Sequence, residues 1–163
     1  MLNLKTEFYL KLILIISLIS IISAYFIEYA LGHQPCNLCL IERIPYGLSV
    51  ILIILNFILK KNKKFKILLL IIIFAFSFII SFYHFGIEQR FFEESTVCGI
   101  KNSSDVLTKG KLLEQLQVKT VSCRDVTFKI FGFSLTTFNM VLSLIIIILL
   151  SKIFKNNFFL IIK

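Results

Sequence analysis

The stretch HQPCNLCLIERIPYG, residues 33–47, sets Cys36 and Cys39 three positions apart and Arg43 four residues further on, with long apolar runs on either side. Thiols at this spacing pack as small hydrophobes, hold a soft metal, or open and close as a redox pair. A structural disulfide suits Cys36 and Cys39 poorly, because so short a ring constrains little of the unfolded chain. Two more cysteines, Cys98 and Cys123, stand far downstream with Gly99 to Ser122 between them. Zinc ribbons usually pair one CxxC with another, so that wide separation argues against a four-cysteine metal centre, and no metal is expected. A structural Cys98–Cys123 staple stays open, since a loop of that length contributes about 3 kcal/mol.

The elements that hold these residues follow from composition. Of the 163 residues, 58% are hydrophobic, against roughly 45–50% in soluble domains. Four runs, approximately 11–31, 40–59, 67–87 and 134–150, reach the ~20 residues that cross a bilayer. One integral membrane domain over 1–163 is therefore expected, an all-α bundle of four transmembrane helices. The first run continues through Tyr25, Phe26 and Ile27, which favours an uncleaved anchor over a signal peptide.

Charge sets the orientation. Lys5, Lys11, the cluster from Lys60 to Lys66, and Lys152, Lys155 and Lys163 flank one side, with Glu7 as the opposing acid. On the other side eight basic and eight acidic residues cancel, so the net charge of +9 sits on one face. Retained Lys and Arg mark the cytoplasmic side. Both termini and the lysine loop are expected there, with two loops outward, and nucleic-acid binding is not needed to explain the basic charge. All four cysteines then fall in the outward loops, where an oxidising compartment permits disulfides. Packing thiols would instead sit within the spans.

Only 16 residues run from Ile44 to Leu59, about 24 Å of helix against a core of roughly 30 Å. The second helix must begin nearer Asn37 or Leu38, which brings Cys39 into its first turn. Free backbone N–H groups and the helix dipole favour a thiolate there. Arg43 lies one turn deeper on the same face, where a cation further favours the Cys39 anion and itself needs a partner or a route to the headgroups. The loop from Glu88 to Phe133 is polar, and STVCGIKNSS gives Cys98 an exposed setting suited to exchange with a second protein. Val106, Leu107, Leu112, Leu113 and Leu116 read either as an interfacial helix or as a loosely ordered loop.

These features together resemble the bacterial DsbB family of disulfide bond formation proteins. The stretches that carry the likeness are CNLCLIER (Cys36 to Arg43), YHFGIEQ (Tyr83 to Gln89) and FGFSLTTFN (Phe131 to Asn139), the first being the most specific. The resemblance implies an inner-membrane, quinone-reducing thiol oxidase with periplasmic cysteine loops. Its implied partner is a thioredoxin-like, DsbA-type dithiol oxidase, which would attack a Cys98–Cys123 disulfide at Cys98. Exchange with Cys36–Cys39 would pass the electrons inward, Cys39 would meet the quinone (ubiquinone or menaquinone), and Arg43 would assist at its head group. His84, Glu88 and Gln89, at the outward end of the third span, could hydrogen-bond a quinone carbonyl or the loop, His84 and Gln89 being the further candidates for the quinone itself, with headgroup solvation as the competing role. The chain departs from the family pattern in having no Trp, for which Phe128 and Phe131 are the aromatic stand-ins. A vitamin K epoxide reductase-like enzyme is disfavoured because its CxxC comes late in the chain. A non-catalytic or transport protein with structural disulfides is the other alternative, weakened by spans that carry little polar beyond serines such as Ser17, Ser20, Ser77 and Ser81.

Overall fold

The computed structural model describes residues 4–59, 62–94, 97–98, 122–124, 128–130 and 132–162. Four helices account for most of them: α1 (Leu4–Tyr29), α2 (Asn37–Ile58), α3 (Lys63–Glu88) and α4 (Leu135–Ile162). Within them, Thr6–Tyr29, Asn37–Ile58, Lys64–Glu88 and Leu135–Lys155 are long and apolar enough to cross a membrane. The molecule is a multi-pass four-helix membrane bundle. Its second helix starts at Asn37, so its 22 residues rise about 33 Å and clear a hydrocarbon core of roughly 30 Å.

α4 runs far beyond the expected limit near residue 150, continuing through the apolar tail as helix to Ile162. The stretch from Val106 to Leu116, expected as an interfacial helix or a loop, lies outside the described residues. An element the sequence pattern does not announce is a small antiparallel hairpin, β1 (Lys129–Ile130) and β2 (Phe133–Ser134), pairing Lys129 with Ser134 and Ile130 with Phe133. Two-residue strands are too short for alternation to register. Gly132 supplies the turn with φ +86°, a conformation that favours glycine.

The bundle is apolar outside as well as inside. Ile22, Ile51, Ile58, Ile79 and Ile148 face outward, while Leu10, Ile13, Ile53, Ile67, Leu70, Phe74, Ile146 and Leu150 form the core. Helix contacts are made where small hydroxyl residues allow close approach. Ser49 donates to Ser17 at 2.9 Å, joining α2 to α1, and Ser77 meets Ser143 at 3.1 Å, joining α3 to α4. Serines that look incidental in sequence are therefore the seams of the bundle. α1 packs on α2, α2 on α3, and α3 on α4, whereas α1 and α4 barely meet. At the lysine-bearing end, Lys66 Nζ donates to the Leu55 and Leu59 carbonyls, satisfying the open end of α2.

At the cysteine-bearing end, α3 stops in a Schellman turn. Phe91 N–H reaches Gly86 O at 2.8 Å and Arg90 N–H reaches Ile87 O at 3.0 Å, with Arg90 in the left-handed region at φ 64°. The chain folds back so closely that a Cβ on Gly86 would meet the Phe92 ring at 2.1 Å. Phe92 also stacks on Tyr83, with ring centroids 5.7 Å apart. This reversal returns the chain towards α2 and brings Cys98 to the head of that helix.

Candidate functional site

Cys36 is the N-cap of α2. Its backbone is extended (φ −73°, ψ 168°) and its Sγ accepts the Cys39 backbone N–H at 3.3 Å, the role a side-chain oxygen plays at most helix starts. Cys39 Sγ stands 2.7 Å from Cys36 Sγ, and both are free thiols in the structure. On the far side, His84 Nε2 approaches Cys36 Sγ at 3.6 Å. The Cys36 thiol is held below its ordinary range. The Cys39 thiol that donates to it contributes most, with further lowering from the His84 ring and the Cys39 N–H, while burial acts in the opposite direction. The expectation of a thiolate at Cys39 therefore needs correction. The first turn of α2 directs its free N–H backwards onto the capping sulfur, so Cys36 is the stabilised anion.

His84 is fixed from behind. Its Nδ1 lies 2.9 Å from Glu42 Oε1 and 3.2 Å from Thr136 Oγ1, and Thr136 in turn donates to Glu88 Oε1 at 2.7 Å. With Nδ1–H donating to a carboxylate, Nε2 is the ring atom left to trade a proton with Cys36. Glu42 Oε2 accepts Asn139 Nδ2 at 2.9 Å, Asn139 Nδ2 also reaches Ser81 Oγ at 2.7 Å, and the Tyr46 hydroxyl donates to Asn139 Oδ1. Residues from α2, α3 and α4 are thus joined in one buried polar network ending at the cysteine pair.

The second pair is joined as a Cys98–Cys123 disulfide, as the resemblance implies, with Cα atoms 5.3 Å apart. It packs in one apolar cluster with Cys36, Leu38 and Ile87, and Cys39, Ile41, Ile80 and Tyr83 lie against that cluster. Asn37 Nδ2 donates to Val97 O at 2.9 Å, fastening the segment before Cys98 to the head of α2. Glu94 accepts the Ser122 hydroxyl and, at 3.0 Å, the Arg124 N–H, so it grips both neighbours of Cys123. The exposed setting expected for Cys98 is not what the structure has: Cys98 is 3% exposed and Cys123 2%. A polar sequence around a cysteine says nothing of the helix ends it folds against.

Beside the inner pair lies a cavity of about 320 Å³. Its walls are apolar side chains of α1 and α4, including Ile19, Ile27, Phe138 and Leu142, and its rim carries Cys36, Cys39, Arg43, His84 and Cys123. Arg43 is paired with Glu28 of α1 through Nη1, and its guanidinium lies over the Tyr25 ring at 5.1 Å. The partner that a cation at this depth requires is therefore Glu28. Gln89 is placed elsewhere: it is exposed, caps the end of α3 and does not border the cavity. Phe128 does border it, against the His33 ring at 5.2 Å, and Phe131 lies outside the described residues.

Sequence reasoning missed Glu42, Thr136 and Asn139. A signal existed for the first, since a glutamate inside an apolar span is costly and marks a functional site until shown otherwise.

Four spans, a close thiol pair and an adjoining disulfide define a multi-pass membrane protein of thiol–disulfide chemistry. The chain belongs to the disulfide bond formation protein DsbB family, whose family model matches residues 6–153. It is also similar to the uncharacterized protein RP370 of Rickettsia prowazekii (strain Madrid E), at 30% identity over 150 residues, covering 88% of this chain and 86% of that one. Membership of this family makes it a disulfide oxidoreductase.

Proposed function

We propose that the chain sits in the bacterial inner membrane, reoxidises a periplasmic thioredoxin-like dithiol oxidase of the DsbA type, and passes the electrons to quinone through its two cysteine pairs. The observation that carries this reading is the single apolar cluster in which the inner thiols and the outer disulfide meet beside a cavity. The lysine-rich ends support an orientation with both termini in the cytoplasm and the cysteines in the periplasm.

A carrier thiolate attacks Cys98, forming a mixed disulfide and releasing Cys123 as a thiolate. The carrier's second thiol resolves the adduct, leaving an oxidised carrier and two thiols at Cys98 and Cys123. These reduce the Cys36–Cys39 disulfide by the same two displacements, and the inner pair then holds two electrons and two protons. An outer disulfide with inner thiols is the outcome of that second exchange. A low-pKa thiol is a good leaving group, so stabilising the Cys36 anion favours opening of the inner disulfide at Cys36. His84 Nε2 lies where it can return or remove the proton.

The cavity suits a quinone. Its volume falls within the ~300–1,000 Å³ of small-molecule sites, its lining is mostly apolar, and Cys36, Cys39, Arg43 and His84 are among the groups that border it. A bound quinone supplies a two-electron, two-proton acceptor. Arg43, with five N–H donors in all, would orient the head group, and Cys39, the more exposed inner thiol, faces it.

The test is quinone reduction by purified protein supplied with a reduced thioredoxin-like carrier and a soluble quinone. Wild type is expected to turn over, and Arg43→Ala to raise the quinone KM about tenfold, the worth of a lost hydrogen bond, with membrane insertion intact. An inactive wild type would dismiss the reading, and unaltered Arg43→Ala kinetics would remove Arg43 from the site. A Cys123→Ala chain given the oxidised carrier is expected to accumulate an adduct that runs as a larger species on non-reducing gels, because the Cys98 thiolate opens the carrier's disulfide and no Cys123 is left to displace the carrier. An adduct at Cys36 instead would reverse the proposed order of exchange.

A further inference from the structure

We propose that Cys36, Cys39 and His84, when the inner pair is reduced, form a binding site for one zinc ion that closing of the disulfide abolishes. The three donor atoms lie within 4.8 Å of one another. In a tetrahedral site with Zn–S of about 2.3 Å and Zn–N of about 2.0–2.1 Å, a sulfur and a nitrogen stand about 3.5 Å apart and two sulfurs about 3.8 Å apart. Cys36 Sγ and His84 Nε2 are already at 3.6 Å. The two sulfurs, at 2.7 Å, must separate by about 1 Å. Cys39 is the one with room, since it borders the cavity and is only partly buried.

The surroundings match what a metal-binding histidine needs. Glu42 accepts from Nδ1 at 2.9 Å, which turns Nε2 and its lone pair towards the sulfurs, the carboxylate–histidine arrangement found behind zinc ligands. Glu88 also lines the cavity, its side chain is 6% exposed, and its Oε2 has no hydrogen-bond partner. A water from the cavity, able to donate to that oxygen, is available as a fourth donor. Charge favours the complex too, because two thiolates and neutral imidazole around Zn²⁺ sum to zero in an apolar setting where net charge is costly. Binding releases the thiol protons to solvent and leaves the sulfur oxidation state unchanged. A disulfide offers no thiolate, so the site exists only in the electron-loaded state. The four-cysteine centre disfavoured by spacing is a different donor set.

Zinc binding can be measured without turnover, carrier or quinone, so failure of the metal site leaves the proposed relay standing, and the reverse holds. Full-length protein in detergent is reduced, freed of reductant without oxygen, and titrated with zinc against a chromophoric chelator. One zinc per reduced chain is expected, and none when both pairs are oxidised. X-ray absorption of the wild-type complex is expected to show two sulfurs and a histidine nitrogen. Cys36→Ser or Cys39→Ser should weaken binding at least a hundredfold, His84→Ala at least tenfold, and Glu42→Gln between tenfold and a hundredfold, the usual cost of losing a ligand's supporting carboxylate. His33→Ala should bind as wild type. No zinc on the reduced wild type, binding indifferent to oxidation, a four-sulfur shell, or loss of binding with His33→Ala but not with His84→Ala would each overturn the site. The wild-type spectrum decides the matter even if a variant fails to fold.

Discussion

Cys39→Ser is expected to stop quinone reduction, with turnover falling at least about a thousandfold, as when one member of a catalytic unit is removed. Serine occupies nearly the same space and can still meet the Cys36 sulfur, so the head of α2 should form as before. What it lacks is the second sulfur. Without it no inner disulfide closes, and electrons delivered to Cys98 and Cys123 have no disulfide to reduce and stay there. Cys36→Ser should be as inactive, and the double variant no worse, because the two sulfurs act as one unit. Thiol labelling should show Cys98 and Cys123 collecting as free thiols once reduced carrier is added, and unchanged helicity separates loss of chemistry from loss of fold. Substantial turnover by either single variant would mean that electrons bypass the inner pair.

Glu42→Ala should be the most destabilising single change near the site, by about 3–5 kcal/mol, the cost of breaking a buried, hydrogen-bonded charge partnership. The carboxylate accepts from His84 at 2.9 Å through one oxygen and from Asn139 at 2.9 Å through the other. Alanine strands both donors in the bundle interior and opens a void between α2, α3 and α4. Glu42→Gln keeps the volume and one acceptor, so it should recover much of the loss. Unfolding in micelles, followed by helicity against denaturant, would compare the three chains. An alanine variant within about 0.5 kcal/mol of wild type, the range of an ordinary surface change, would show that water or a rearranged Thr136 satisfies the network.

What could be read beforehand is what depends on neighbours in the chain. Apolar run length located the helices, lysine asymmetry suggested their direction, and the short second run drew the start of α2 back to Asn37. CxxC spacing and Arg43 are equally local. The network behind His84 is not, because its partners lie 42 positions away at Glu42 and 52 at Thr136. Gln89 was within reach of simple geometry: five residues after His84 it has turned some 140° away, whereas Glu88 at i+4 shares the histidine's face. The same kind of reasoning applies at the start of α2. A capping position receives the N–H of the residue three further on, so the anion belongs to the first cysteine and not the second. Burial of Cys98 was beyond reach, since it follows from a helix end in which Arg90 adopts the conformation usually given to glycine.

The seam where α1 and α4 barely meet has a kinetic consequence. The walls of the cavity, Ile27 on one side and Leu142 on the other, belong to membrane-spanning segments, while the outer disulfide sits above them at the helix ends. On the proposed function, two substrates of opposite solubility would approach by separate routes, one through water and one through lipid, and share nothing but the cysteines. Such an enzyme would run as a ping-pong system, each half-reaction indifferent to the other's substrate except through the sulfur oxidation state it leaves behind. For the lipid-borne half, the quantity that matters would be quinone per lipid rather than quinone per volume. Added detergent or bilayer would slow that half-reaction by dilution alone, with no residue changed.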